Sequence, residues 1–260
     1  VSGANCGVMH YRALPAGHIN HRPATSWGVI EADPPCPWPG LAAYGSDAAE
    51  RYFGREEEVC RALNQWRSVP LLAVVGPSGV GKSSFVYAGL LPHRAARVPA
   101  ARPGSRPLAA LACVAPVSGD VVVIDQFEEC FTLGAAPDEI STFAERLCGW
   151  TASGVAVVIT LRDDYLARAH ALPALREQLP AALFLLAPLD AAALTRVLTI
   201  PIQRVGWRFD DPAMVGRMVD EASRAAAALP LLCFAATNLW TLRDPVLRRI
   251  PASAERELGG

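Results

Sequence analysis

The chain has 260 residues, 52% of them hydrophobic and 19% charged, enough apolar material for a sizeable core, which excludes wholesale disorder. A formal net charge of −1 gives no case at the level of composition for nucleic acid or an anionic membrane as a partner. Residues 1–30 contain no apolar h-region, so no secretory signal is expected. The seven cysteines are odd in number and lack a C-x-x-C pair, which fits a reducing cytoplasm better than a disulfide framework.

Residues 1–40 read as an N-terminal arm and linker, because Pro34-Pro35-Cys36-Pro37-Trp38-Pro39-Gly40 can form neither helix nor central strand. Within the arm, Cys6, His10, His18 and His21 match no familiar zinc spacing and read as a solvated tail. The chain opens on Val rather than Met and is expected to be part of a longer protein. Helical pattern begins at Ser46 and breaks at Tyr52-Phe53-Gly54-Arg55-Glu56. It resumes over Glu56 to Arg67, with Val59, Leu63 and Trp66 on one face.

Leu71-Leu72-Ala73-Val74-Val75 is a continuous apolar run, the pattern of a fully buried parallel strand. The loop Gly76 to Gly81 leads into a helix over Lys82 to Leu91, which Pro92 stops. Residues 92–107 are rich in Pro, Arg and Gly, with a weak strand near 96–101. Val121 to Ile124, Val155 to Thr160 and Leu183 to Leu186 predict three more strands. An amphipathic helix runs from Asp138, its expected N-cap, to Trp150. Strands alternating with helices predict a three-layer α/β domain over 41–188, a central parallel sheet covered on both faces.

After Asp190 the strands are expected to stop. Helical patterns over 190–204, 211–224 and 230–243 predict a small α-helical lid subdomain spanning 189–260. The apolar run Ala225 to Leu242 contains Pro230, Asn238 and two threonines, and reads as a buried helix starting near Pro230 rather than a membrane span. Cys113 and Cys233 lie in apolar runs and read as small core residues.

Gly76-Pro77-Ser78-Gly79-Val80-Gly81-Lys82-Ser83 fits G-x-x-x-x-G-K-[ST], placed between a predicted strand and a predicted helix. Glycines let backbone N–H groups turn inward around a polyphosphate, and the helix N-terminus adds partial positive charge. In this P-loop Lys82 would reach the β- and γ-phosphates and Ser83 would ligate Mg²⁺. Of the 24 basic residues besides histidine, 23 are Arg, and Lys82 is the single Lys. A slim point charge is kept where a planar fork would not serve.

Asp125 ends an apolar strand, as a second ligand for Mg²⁺ should. Glu128 and Glu129 follow it as candidates for the carboxylate that polarises an attacking water. If the strand ending in Thr160 lies between the other two, Thr160 and Arg162 face the γ-phosphate, unless Arg162 pairs with Asp163, Asp164 or an acid near Asp125. The Asn-Lys-x-Asp guanine motif is excluded by the single Lys, so ATP is the expected nucleotide.

These pieces stand in a definite order. Cys36-Pro37-Trp38-Pro39-Gly40-Leu41 is followed by Tyr52-Phe53-Gly54-Arg55-Glu56, then by Val75 to Ser84 and Arg102-Pro103-Gly104. After those come Val123-Ile124-Asp125-Gln126-Phe127-Glu128-Glu129, Thr160-Leu161-Arg162-Asp163-Asp164-Tyr165 and Ala228-Leu229-Pro230-Leu231-Leu232. The set resembles the STAND class of P-loop NTPases, most closely the novel STAND NTPase 1 type, over about residues 36 to 243. The resemblance implies that Phe53, Gly54 and Arg55 lie near adenine and ribose, and that residues 76–84 (Gly76, Pro77, Ser78, Gly79, Val80, Gly81, Lys82, Ser83, Ser84) cradle the phosphates. It further implies that Asp125 and Glu129 are the metal and catalytic acids with Glu128 the alternative, that Arg162 is a sensor, and that Pro230 packs on the base. Ala228 stands where the family's lid motif has glycine. No winged-helix, repeat or protease-like module can be read in the chain.

The function expected on this basis is an ATP-driven signalling switch of bacterial type, in the cytoplasm, using ATP/ADP and Mg²⁺ and hydrolysing slowly. Nucleotide-dependent homo-oligomers, and sensor and effector modules outside this chain, are the expected partners; nucleic acid and membrane are not. Two alternatives stand beside it: a nucleotide-binding interaction module without useful hydrolysis, and a P-loop kinase or motor. A kinase would need basic residues over the phosphates. Arg94, Arg97, Arg102 and Arg106 could supply them, but in a Pro-rich loop they read as solvated.

Overall fold

A computed structural model of the chain describes residues 33–225 and 227–258. Five strands form one parallel sheet: β1 (Leu71–Gly76), β2 (Ala100–Ala101), β3 (Val121–Ile124), β4 (Ala156–Arg162) and β5 (Leu183–Leu185), in the order β2-β3-β4-β1-β5. β4 therefore lies between β1 and β3, and Val74 is in register with Thr160. Successive residues of a strand face opposite ways, and here both faces are buried. Leu71, Ala73 and Val75 enter one core with Val122, Ile124, Val157 and Ile159. Leu72 and Val74 enter the other with Val121, Val123 and Val158. That double burial explains why the strands read as unbroken apolar runs.

Helices α1 (Glu56–Trp66) and α2 (Lys82–Ser84) cover one face. The latter continues into Phe85–Leu90 with wider π-type bonding rather than as the regular helix expected to Leu91. Three glutamates, Glu56 to Glu58, open α1, where negative charge favours the helix dipole. The other face carries α3 (Pro107–Leu111), α4 (Glu129–Thr132), α5 (Pro137–Ala152) and the short α6 (Leu166–Ala171), α7 (Pro173–Arg176) and α8 (Leu179–Ala182). α5 starts one residue before Asp138, on Pro137 with its preset φ, so the cap position falls to Ala136 and Asp138 sits in the first turn. Cys113 is exposed, not core, because its turn follows α3 on the surface, whereas Cys233 is buried as expected.

The remainder forms a helical body of α9 (Ala191–Arg204), α10 (Pro212–Ala222), α11 (Ala228–Thr241) and α12 (Ala252–Glu257). Side chains cap α9 and α10: Asp190 accepts from Ala193 N–H at 2.7 Å and Asp211 from Ala213 N–H at 2.9 Å. Strands do not stop at Asp190. β6 (Arg208–Phe209) and β7 (Arg249–Ile250) pair in parallel inside this body. α11 begins at Ala228, with Pro230 inside its first turn, and at 14 residues is too short to cross a bilayer. No helix among the described residues is long and apolar enough to do so.

The segment read as a linker is part of this body's core. Trp38 is 2% exposed, its Nε1 donates to Val197 O at 3.0 Å, and its ring meets those of Phe209 and Trp240. Flanking prolines hold the chain extended without needing sheet partners, so a proline-rich stretch can be ordered and buried. Cys6, His10, His18 and His21 lie outside the described residues.

Candidate nucleotide-binding site

A cleft of about 540 Å³ opens at the C-terminal ends of β1, β3 and β4, between the sheet and the helical body. That volume is in the range of small-ligand sites, and this edge of a parallel sheet is where α/β folds bind ligands. Along it lie Ser78, Gly79, Gly81, Lys82, Ser83 and Ser84 from the P-loop, Phe53 and Arg55 from the entry to α1, Glu128, Thr160 and Arg162 from the sheet, and Leu229 and Pro230 from α11.

The loop's shape depends on its glycines. Gly81 has φ +95°, a conformation L side chains rarely adopt. A Cβ on Gly76 would lie 2.4 Å from Leu186 O, so β1 can approach the end of the β5 segment only without a side chain there. Lys82 Nζ donates to Gly76 O and Pro77 O, both at 2.8 Å. Burial holds its pKa below the ordinary lysine value, and Glu128 is the strongest of the charges that oppose that shift.

Under the loop the hydroxyls converge on one carboxylate. Ser83 Oγ donates to Asp125 Oδ1 at 2.8 Å and Thr160 Oγ1 donates to the same oxygen at 2.7 Å. Thr160 Oγ1 also accepts from Gln126 N–H at 2.8 Å, a bond available because Gln126 takes a left-handed φ of +59° directly after β3. Asp125 is 1% exposed, and Arg102 Nη2 stands 3.2 Å from its Oδ2.

The two adjacent glutamates diverge. Glu128 is buried at the cleft, its Oε2 accepts from Arg162 N–H at 3.3 Å, and burial raises its pKa above the ordinary glutamate value against the pull of those hydrogen bonds and of Lys82. Glu129 is not among the residues lining the cleft; its Oε2 accepts from Gly104 N–H at 3.1 Å. Arg162 pairs with Asp164 at 2.6 Å, so the alternative of a local ion pair is the one found.

Arg55 is 2% exposed and donates to Val80 O at 2.8 Å and Ala187 O at 3.1 Å while pairing with Glu58. It fastens the P-loop to α1 and to the chain after β5. Gly54 packs against Ala193 of α9, and Phe53 sits beside Arg204. Pro230 Cγ would stand 3.3 Å from a Cβ on Gly79 and Leu229 Cδ2 3.0 Å from one on Gly81, so α11 seats directly on the P-loop. Ser84 Oγ accepts from Tyr44 N–H at 3.0 Å.

Gln126, Tyr44 and Tyr52, to which the sequence assigns no role, also line the cleft, as does Arg102, which reads as solvated in the sequence. Three of the four arginines of the 92–107 stretch are engaged rather than merely solvated: Arg94 lies over the Trp66 ring, Arg97 pairs with Asp120 and Arg102 with Asp125.

The residues present fit Mg²⁺ and a polyphosphate. A hydroxyl and a buried carboxylate already share one short bond beneath a glycine cradle that any Cβ at Gly76 would spoil. The buried Tyr52 hydroxyl, at the cleft wall, has no hydrogen-bond partner among the described residues, as a group awaiting a ligand or water would.

A parallel sheet with this loop after its β1 strand and an acid after β3 defines a P-loop NTPase. The family model described as Novel STAND NTPase 1 matches residues 37–260, and the chain belongs to that family. No curated protein matches the chain significantly. Solved structures agree on the fold. A Walker-type ATPase of Pyrococcus abyssi, paby2304, aligns with TM-score 0.54 and 14% identity over 84% of this chain and 74% of that one. Aeropyrum pernix ORC1, solved in complex with DNA, aligns with TM-score 0.54 and 17% identity over 80% of this chain and 66% of its own. Hsp104, in a closed-state reconstruction with ATPγS and casein, aligns with TM-score 0.54 and 14% identity over 78% of this chain. This chain spans 40% of the Hsp104 chain.

Proposed function

We propose that this chain is a nucleotide-dependent signalling switch that binds Mg-ATP in the cleft between sheet and helical body and hydrolyses it slowly to ADP. The observation that carries this is the convergence of three elements on one cleft: the P-loop, the Ser83–Asp125 pair and α11, whose Leu229 and Pro230 rest on the loop. Ser83 and Asp125 would hold Mg²⁺, which when bound neutralises developing charge on the phosphates.

Lys82 binds phosphate oxygens as a buried point charge. Glu128 orients a water and takes its proton as the water oxygen attacks the terminal phosphorus and the bond to the bridging oxygen breaks. Its raised pKa makes it the stronger base once ionised. Thr160 keeps Asp125 in place. Arg162 spreads charge at the γ-phosphate only after leaving Asp164. Because α11 touches the loop, nucleotide favours the docked lid over an undocked one by its difference in affinity for the two. Docked protomers would then form homo-oligomers, acting in a bacterial cytoplasm through sensor and effector modules outside this chain.

The test is calorimetry with Mg-ATP and Mg-ADP followed by phosphate release from wild type, Lys82→Ala and Asp125→Ala. Heat of binding and a slow release that falls at least tenfold in both variants is expected. No heat removes the nucleotide reading, and equal rates in all three remove the hydrolase. The engagement of Arg162 with Asp164 favours a second reading, in which the module binds nucleotide without useful hydrolysis. Binding without phosphate release would decide for it.

A further inference from the structure

Asp125 divides its two oxygens. Oδ1 takes the hydroxyls of Ser83 and Thr160, while Oδ2 takes only Arg102 among the described residues. The sheet places this arginine. Ala101 of β2 is in register with Ile124 of β3, Asp125 N–H donates to Ala101 O at 3.0 Å, and so the residue after each strand stands beside the other. Glu129 fixes the turn that follows by accepting from Gly104 N–H, and Glu139 accepts from Leu108 N–H at 3.2 Å as α3 begins.

The ion pair is one-sided: the Arg102 side chain is 60% exposed and lines the cleft, whereas the Asp125 side chain is 2% exposed. The mostly solvated guanidinium can swing away provided another cation compensates the buried carboxylate it leaves. A cation between Ser83 and Asp125 would compete for the charge that now holds Arg102, leaving a planar two-pronged donor at the mouth of the cleft. A terminal phosphate matches that donor.

We propose that Arg102 is a specificity-determining residue that exchanges its bond to Asp125 for the γ-phosphate, so that the cleft prefers a nucleoside triphosphate to the diphosphate, with Glu129 as the positioning residue for the loop that carries it. The inference rests on the nucleotide reading above and deepens it. It also gives the adjacent glutamates separate roles, since Glu128 serves the cleft and Glu129 serves Arg102.

Calorimetry with ATPγS and with ADP, each with Mg²⁺, tests it. Arg102→Ala should weaken ATPγS binding about tenfold or more, the scale of a lost hydrogen bond to a charged group, while ADP binding stays within about twofold and thereby reports an intact fold. Arg102→Lys should keep part of the preference. Glu129→Ala should shift the ratio in the same direction, and Glu129→Gln, which retains an acceptor for Gly104 N–H, should restore it. A wild type that binds neither nucleotide overturns the nucleotide reading and this inference together. A wild type that binds both, with an Arg102→Ala variant of unchanged ATPγS-to-ADP ratio, overturns this inference alone.

Discussion

Glu128 pays for its position at the cleft with desolvation, and that cost can be measured apart from any nucleotide. Its pKa in the folded chain lies above the ordinary value of 4.5 because burial penalises the carboxylate. The folded state therefore keeps a proton at pH values where the unfolded chain has released it. Stability falls as pH rises through a window that opens at the ordinary value and closes above the raised one. Glu128→Gln removes the penalty, so the variant should melt above wild type at pH 7. The difference should shrink as pH is lowered and vanish below about 4.5, where both carboxyls are protonated. Thermal melts across that range check this; a difference that does not change with pH would mean the carboxylate is not desolvated. Which of the two glutamates enters the cleft is not legible in the sequence. They begin a short helix, where adjacent side chains diverge by about 100°, and nothing in Glu-Glu says which direction is inward.

At the scale of elements, legibility follows burial and length. β1, β3 and β4 can be read because both faces are covered and the apolar runs are unbroken. The pair β6–β7 cannot, since two residues per strand carry no period. The P-loop is legible because phosphate chemistry demands a contiguous pattern. Arg102 is not, because its meaning comes from a register between β2 and β3 that no local pattern encodes. The segment before Gly40 misleads for a related reason: proline-rich sequence excludes regular structure but not burial. Trp38 makes that segment the fastener of the helical body. Trp38→Ala should cost about 3–5 kcal/mol, as buried aromatic truncations do, lowering the melting temperature by roughly 2–4 °C per kcal/mol for a chain of this size. Denaturant unfolding checks it; a loss below about 1 kcal/mol would mean that the segment is not integral to that core.

For the molecule as a whole, the question is whether sheet and helical body behave as one unit or two. At the cleft they meet through Leu229 and Pro230 on the P-loop, Gly54 on Ala193, Phe53 beside Arg204 and the Arg196–Glu56 pair at 3.0 Å, and Tyr44 and Arg51 bond to the backbone of Pro37 and Cys36. The apolar cores are separate clusters, one around Trp38, Trp207 and Trp240 and two on the faces of the sheet. Two bodies with separate cores can move against each other unless something bridges them. A ligand that touches both stabilises the docked arrangement by its difference in affinity for the docked and undocked arrangements, with a ceiling of about 2.7 kcal/mol at one hundred times its Kd when the undocked arrangement binds none. Amide exchange should therefore slow on Mg-ATP addition in α11 and in the segment around Gly40 to Tyr44 as well as in the P-loop. Leu229→Ala, which shortens the side chain seated on Gly81, should confine the protection to the P-loop while leaving the melting of the sheet domain unchanged. If nucleotide protects the P-loop alone in wild type, the helical body is a neighbour of the site rather than its lid.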